Sequence, residues 1–344
     1  MEMSDYRKLR IFSVGLIGVA LILFFIGAAD IRHTPYLGYH VSPTYAVVSV
    51  DPSSPAAEAG LLAGDQVLAV NGVSTDKLFQ LSQQERSRIG EAHRLTVLRG
   101  LTTMELLFVV SELPSRERSL AWAGNFLALL MLALGIVVFG RKPNKPTLLF
   151  FLSSFCLSLA FMTPPYLESF VLQRVVALNF LLFLSLGLAF FLHLSVVFPK
   201  AKPPVADTPV EILIYLPVPM LAVFFVSLWL FQPWADLRLN QFLHYAFGLA
   251  VLYCLGLALA AIIHSFWKRD PALETRGLSL LLVGALVGIV PPAVGVFFDS
   301  FFPAAQLPGR EYYPLTVILA SLAFAWVLSR HSFREAPGVF RHAA

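Results

Sequence analysis

The residues of this chain best placed to do chemistry are a few polar side chains inside long apolar runs. His193 and His264 could ligate a haem iron through neutral imidazoles, while Asn179 and His244 could line a cavity or hydrogen-bond between helices. Such groups are functional candidates because burying them in lipid costs free energy. Both His193 and His264, however, lie near the ends of their apolar runs, where water, headgroups or a neighbouring carbonyl group can satisfy them. The sequence therefore indicates no metal and no cofactor.

Familiar catalytic motifs are absent from the sequence. The His-Glu-x-x-His motif of metalloproteases and the Gly-x-Ser-x-Gly motif of serine hydrolases do not occur. The two cysteines, Cys156 and Cys254, lie in apolar runs and have neither metal-ligand spacing nor a disulfide framework. We therefore expect a protein that is not an enzyme.

Composition indicates which elements must hold these side chains. Of 344 residues, 57% are hydrophobic and 13% charged, whereas a soluble domain carries about 25% charged residues. Eight uncharged runs approach the ~20 apolar residues that cross a bilayer as a helix. They cover residues 11–29, 120–140, 147–162, 175–198, 212–231, 242–267, 278–298 and 315–329. The predicted fold is a polytopic α-helical membrane protein with about eight transmembrane helices and one inserted small α+β domain.

The distribution of lysine and arginine predicts the orientation of these helices. Basic residues collect on the cytoplasmic side of a membrane because they resist translocation. With the N-terminus inside, the inner segments carry 14 Lys and Arg residues, whereas the short outer loops carry three, Arg174, Arg238 and Arg310. We therefore expect residues 1–30 to form the cytoplasmic N-terminus and a first, uncleaved helix, both termini to be cytoplasmic, and residues 31–114 to lie outside.

Residues 31–114 show the alternation and turn signals of a small α+β domain. Ser54 can cap a short helix, Pro55 suits its first position, and Gly60 can close it in a left-handed conformation. Asn71-Gly72 predicts a tight hairpin, because both residues tolerate positive φ angles, and Gly100 predicts another turn. The predicted elements around them are strands over residues 45–50, 66–70, 95–99 and 105–110 and a second helix over residues 76–88.

The runs Ser54–Leu61 and Gly64–Gly72 closely resemble bacterial PDZ domains, and the resemblance covers about 80 residues. In that family, the loop before the second strand binds a peptide's C-terminal carboxylate with backbone N–H groups, and the peptide adds a strand to the sheet edge. The resemblance implies a peptide-binding site with a loop and a helical wall, formed by Tyr36, Leu37, Gly38 and Tyr39 and by Leu78 and Leu81.

The strand that a peptide would pair with is short. Six residues separate Gly38 from the predicted strand that starts at Tyr45, and Pro43 among them lacks an N–H donor. Two interpretations follow. The domain either binds a peptide or protein C-terminus, or packs on the membrane helices in a purely structural role.

The whole architecture resembles the input half of bacterial sensor histidine kinases of the peptide-pheromone receptor type. That half consists of an anchor helix, an outer PDZ domain and seven further helices. The seven further helices correspond here to residues 115–330. His193–Pro199 and Ser329–Phe333 resemble motifs at the inner ends of helices in that family. The sequence contains no phosphoacceptor segment or nucleotide-binding loop of a kinase, and residues 331–344 are expected to form a short cytoplasmic tail.

The resemblance implies a sensor in the bacterial cytoplasmic membrane that detects a peptide or envelope signal and passes it to a separate output partner. One alternative is an adaptor that presents envelope proteins to a membrane protease or assembly complex. Another is a small-solute transporter. The expected partners are a peptide or protein C-terminus, a signalling protein and the lipid bilayer, but no nucleic acid, and the architecture is compatible with a homodimer.

Overall fold

The computed structural model describes residues 3–42, 44–77, 88–164, 170–199, 213–216, 218, 237–268, 275–303, 305 and 307–330. Long helices dominate these residues. The α-helices are α1 (Met3–Asp30), α2 (Pro55–Glu58), α3 (Ser115–Arg141), α4 (Lys145–Phe161), α5 (Phe170–Val197), α6 (Leu237–Trp267), α7 (Thr275–Phe301) and α8 (Val317–Arg330). Two 3-10 turns, Ile31–His33 and Arg310–Thr316, follow α1 and precede α8.

Six helical stretches of the described residues are long and apolar enough to cross a membrane, rather than the eight that the sequence predicts. They are Ser13–His33, Ser115–Arg141, Asn179–Val197, His244–Trp267, Arg276–Phe301 and Arg310–Arg330. The third predicted span corresponds to α4, whose 17 residues rise about 26 Å, short of a ~30 Å hydrocarbon core. The fifth predicted span, residues 212–231, lies largely outside the described residues.

Helices α3 to α8 contribute to one apolar core. Met131 on α3, Leu192 on α5 and Phe324 on α8 are buried, and Ala258 on α6 belongs to the same cluster. Helix α1 packs beside α3 and α4, where Ala20 is fully buried. Because α1 and α3 belong to one bundle, the domain inserted between them is attached to that bundle at both ends.

Helix α7 continues through Pro291 and Pro292, although prolines in a helix interior usually break or kink a helix. Proline lacks the N–H that would bond the carbonyl four residues earlier, so Pro292 deprives the Gly288 carbonyl of its donor. The Thr316 hydroxyl lies 3.5 Å from the Gly288 oxygen. That hydroxyl has one hydrogen and donates it to the Tyr313 carbonyl oxygen at 2.8 Å, so its contact with Gly288 does not replace the lost helical bond.

The domain between α1 and α3 is built from short antiparallel strands. They are β1 (Pro35–Tyr36), β2 (Tyr39–Val41), β3 (Val47–Val50), β4 (Gln66–Val70), β5 (Val73–Ser74), β6 (Ala92–Arg99), β7 (Thr102–Val109) and β8 (Ser111–Glu112). A four-stranded sheet has the order β5-β4-β6-β7, while β2 pairs with β3 and β1 with β8. The β1–β8 pair joins the chain that enters the domain to the chain that leaves it.

The local turn signals of this domain are confirmed. The Ser54 hydroxyl caps α2, Pro55 opens that helix, and Gly60 follows it with φ +86°. Asn71 and Gly72 have φ angles of 49° and 83° and form the β4–β5 hairpin. The β6–β7 turn contains Gly100 at φ +60°.

One predicted strand begins later than expected. The sequence predicts a strand from Tyr45, but Tyr45 has φ +61°, a left-handed conformation that no strand residue adopts, so β3 starts at Val47. The strand before it, β2, has three residues, in agreement with its expected shortness. Pro43 and most of the second predicted helix (residues 78–87) lie outside the described residues.

Candidate functional site

A backbone turn at Gly38 forms the loop that precedes β2. Gly38 is buried and has φ +78°, a conformation that glycine adopts without strain. Its carbonyl oxygen accepts two hydrogen bonds, from the Asp51 N–H at 2.8 Å and from the Ser54 hydroxyl at 3.1 Å. These two donors fix the orientation of the peptide group that leads into β2.

Ser54 connects this loop to helix α2. Its Oγ also accepts the Ala57 N–H at 3.2 Å, and the residue is 1% exposed. A Cβ atom on Gly38 would lie only 2.1 Å from Ser54 Cβ. The loop therefore reaches the helix cap only because residue 38 has no side chain.

The bond between Gly38 and Asp51 also determines which way the peptide groups of β2 point. Tyr39 pairs with Val50, and hydrogen-bonded and non-hydrogen-bonded pairs alternate along antiparallel strands. The hydrogen bond joins the two residues that flank this pair, Gly38 before Tyr39 and Asp51 after Val50. The Tyr39–Val50 pair is therefore a non-hydrogen-bonded one. The N–H and C=O of Tyr39 therefore point away from β3. In the described part of the chain, β3 is the strand that pairs with β2, and no other strand does so.

The Tyr39 ring rests on the core of the small domain. Its hydroxyl lies 3.3 Å from His93 Nε2, and its ring contacts Phe108 edge-on at 6.3 Å. His93 is 1% exposed and lies 5.3 Å from the Phe108 ring. Burial lowers the pKa of His93 to about 4, so the imidazole is neutral at physiological pH. Sequence reasoning missed His93, although its alternation with Leu95 along β6 signals an inward position.

The two residues before Gly38 are also anchored. The Tyr36 hydroxyl donates to Asp51 Oδ2 at 2.7 Å, and burial together with this carboxylate raises the pKa of Tyr36. Leu37 packs partly buried against the core of the domain. Of the four predicted loop residues, Tyr36 ends β1, Leu37 and Gly38 form the turn, and Tyr39 begins β2, whereas Leu78 and Leu81 lie outside the described residues.

An ion pair that the sequence did not predict joins the end of β6 to the turn between α2 and β4. Arg99 donates from Nε to Asp65 Oδ1 at 2.8 Å and from Nη2 to Asp65 Oδ2 at 2.7 Å. The same Nη2 donates to the Gly60 carbonyl at 2.7 Å, and the Leu62 N–H donates to Asp65 at 3.0 Å. The hydrogen bonds from Arg99 lower the pKa of the Asp65 carboxyl. This network holds the α2–β4 turn against β6.

The turn after β2 faces the helical bundle across a cavity of about 470 Å³. On the domain side, the lining includes Ser42 and Thr44, whose hydroxyl oxygens lie 2.9 Å apart. The opposite wall is formed by Gln241, Tyr245, Ser300 and Pro303, at the nearby ends of α6 and α7. We call this cavity the interdomain cleft.

The ends of α6 and α7 at the interdomain cleft are joined to each other. The rings of Tyr245 and Phe301 stack at 5.5 Å, with 10° between their planes. His244 Nε2 lies 3.1 Å from the Asp299 carbonyl oxygen, and Arg310 donates to the Asp299 carboxylate at 2.7 Å. These contacts link the start of α6 to the end of α7 beside the cleft.

The other intramembrane candidates do not form a common site. His193 is buried on α5, with Nδ1 2.7 Å from the Tyr215 hydroxyl, whereas His264 is exposed in the last turn of α6. Asn179 is exposed on α5, and His244 makes the interhelical contact described above. Among the described residues, no three His, Cys, Asp or Glu side chains come together as a metal site would require.

Comparison with known families identifies the small domain. Residues 47–99 match the family model of the PDZ domain. This segment is a PDZ domain. The match runs from β3 to the end of β6, and it does not include the loop at Gly38, β2 or β7. No curated protein matches the chain. The expected relationship of the helical bundle to sensor histidine kinases therefore has no support beyond the sequence motifs.

Proposed function

We propose that this protein binds the free C-terminus of a peptide or protein at its PDZ domain, while its apolar helices anchor it in a membrane. The observation that carries the proposal is the loop at Gly38, with its carbonyl group fixed by Asp51 and Ser54. Backbone N–H groups of such a loop can bind a carboxylate, and the peptide main chain can then pair with β2.

The geometry of β2 determines how much peptide the strand can hold. Three residues extend about 10 Å, enough to pair with roughly three or four residues of a bound chain. With the carboxylate at Gly38, the upstream residues run along Tyr39 toward Val41. The bound chain would leave the strand at Ser42, which lines the interdomain cleft.

This exit point favours a sensory role for the membrane protein. A bound peptide would emerge beside Tyr245 and Ser300, on the helix ends that share the Tyr245–Phe301 stack. Binding would change the contacts of α6 and α7, and the helices could pass that change to a separate output partner. The adaptor alternative needs the PDZ domain alone and assigns no role to the cleft.

Carboxylate recognition is tested with the full-length protein in lipid nanodiscs. An array of peptides with free C-termini is compared with the same peptides as C-terminal amides. Binding to the amides should be at least ~10-fold weaker, because hydrogen bonds to a charged group contribute about 1.5–3 kcal/mol. Equal binding of acids and amides would reject the proposed site.

Hydrogen exchange with a bound peptide then separates sensor from adaptor. A sensor predicts altered protection at the ends of α6 and α7 near the cleft, and Tyr245→Ala should abolish that change without preventing peptide binding. Tyr253→Ala is the matched control, because Tyr253 lies on α6 but does not line the cleft. Changes confined to residues 36–59 would favour the adaptor.

A further inference from the structure

An apolar groove lies between α3, α7 and α8 at the end of the bundle away from the PDZ domain. Its volume is about 1170 Å³. Most of the side chains along it are apolar, and many of these are partly exposed. They include Val137, Leu280, Val283, Val287, Leu319, Leu322 and Trp326.

The length of the groove matches one leaflet of a bilayer. Along α7 it runs from Arg276 to Val287, and along α8 from Leu319 to Arg330. Each stretch rises about 17 Å at 1.5 Å per residue. The hydrocarbon core of a bilayer is ~30 Å thick, so the groove spans about half of it.

Three arginines close one end of the groove. Arg141 is the last residue of α3, Arg276 the second residue of α7, and Arg330 the last residue of α8. The Arg330 guanidinium lies 4.6 Å from the centre of the Trp326 ring. No aspartate or glutamate of the described residues lines the groove. The groove thus combines apolar walls with a positively charged end.

We propose that this groove binds one anionic phospholipid, with its phosphate among the three arginines and an acyl chain along the apolar walls. The inference rests on the membrane placement proposed above. Charge complementarity selects this occupant, because basic pockets between membrane helices bind anionic headgroups. A second copy of the chain, docked through the same groove, would bring its own three arginines against these and be repelled.

The structure offers a reporter inside the groove. Single-tryptophan variants keep only Trp326 or only Trp267, with the other tryptophans changed to Phe, and are reconstituted with brominated phosphatidylglycerol or brominated phosphatidylcholine. Trp267 is the matched control, because it ends α6 and is 79% exposed but does not line the groove.

Brominated phosphatidylglycerol should quench Trp326 at a mole fraction at least ~5-fold lower than brominated phosphatidylcholine, the factor expected from one basic side chain at a membrane surface. Trp267 should show a much smaller preference. The combined variant Arg141→Gln, Arg276→Gln and Arg330→Gln should remove the preference at Trp326 and leave quenching by phosphatidylcholine unchanged, which shows that the bundle is intact. Arg276→Gln alone should reduce the preference and provides a milder second test.

Three results would overturn the inference. Equal quenching of Trp326 by both lipids would show no anionic site. Quenching of Trp267 but not of Trp326 would show that protein covers the groove. Quenching of neither residue by either lipid would show that the helices do not lie in the membrane, which contradicts the proposed function itself. The first two results would contradict only the lipid site.

Discussion

The close approach of Gly38 to Ser54 in the candidate binding loop can be tested by adding one methyl group to residue 38. We expect Gly38→Ala to destabilise the loop and abolish peptide binding. Gly72→Ala is its matched control, because the two glycines have similar φ angles of 78° and 83°. A Cβ on Gly72 would meet no atom within 4 Å, whereas a Cβ on Gly38 would lie 2.1 Å from Ser54 Cβ.

The difference between the two variants follows from these contacts. A left-handed conformation costs a residue with a side chain about 1–2 kcal/mol, and both variants incur that cost. Gly38→Ala must also displace Ser54, which adds roughly 1–3 kcal/mol of overpacking. The hydrogen bond from Ser54 to the Gly38 carbonyl, worth about 1 kcal/mol, would be lost as well. We expect Gly38→Ala to be more destabilising than Gly72→Ala by about 2–4 kcal/mol.

Hydrogen exchange of the full-length protein measures this difference. Peptic fragments that cover residues 36–41 and 51–59 should lose protection in Gly38→Ala, and fragments of the helical bundle should not change. Gly72→Ala should affect mainly the β4–β5 hairpin. Similar exchange of residues 36–41 in the two variants would refute the assigned role of the Gly38–Ser54 contact.

The remaining predictions concern the interior of the PDZ domain. Ser54→Ala should cost about 1–2 kcal/mol through loss of the helix cap, whereas the exposed Ser53→Ala should be nearly neutral in thermal unfolding. Arg99→Met should lower the melting temperature at neutral pH. Because the pKa of Asp65 is lowered, the contribution of the ion pair disappears as the pH falls below about 4, so wild type and variant should converge in acid. His93 has a folded pKa of about 4, below its ordinary value near 6.5, so protonation of the unfolded chain should reduce stability by about 2–3 kcal/mol as the pH falls from 6.5 to 4. A His93→Phe variant should lack this dependence, and identical pH profiles would contradict the assignment.

Local backbone chemistry was predictable from the sequence. The cap at Ser54, the closing Gly60 and the Asn71-Gly72 hairpin are all present, because capping and positive φ angles depend on a few consecutive residues. The apolar runs likewise predicted most of the helices. The count of membrane-crossing helices was less predictable, because α4 has the composition of a span but only 17 residues.

The position of Tyr45 shows where local patterns fail. Its neighbours alternate like strand residues, yet Tyr45 adopts a left-handed φ of 61°. The Tyr45 N–H donates to the Ser42 carbonyl within a local turn, whereas the Tyr45 carbonyl accepts the Val67 N–H and Ala46 pairs with Gln66, both on β4. This turn, together with the pairing to β4, therefore outweighed the strand propensity of the residue.

By itself, the sequence determined the apolar helices and the turns of the PDZ domain, because each depends on neighbouring residues. Only the tertiary structure placed His93 beneath Tyr39, paired Arg99 with Asp65, and gathered Arg141, Arg276 and Arg330 at one groove. These groups come from strands and helices far apart in the chain. Their proximity results from the packing of whole elements, which residue spacing does not encode.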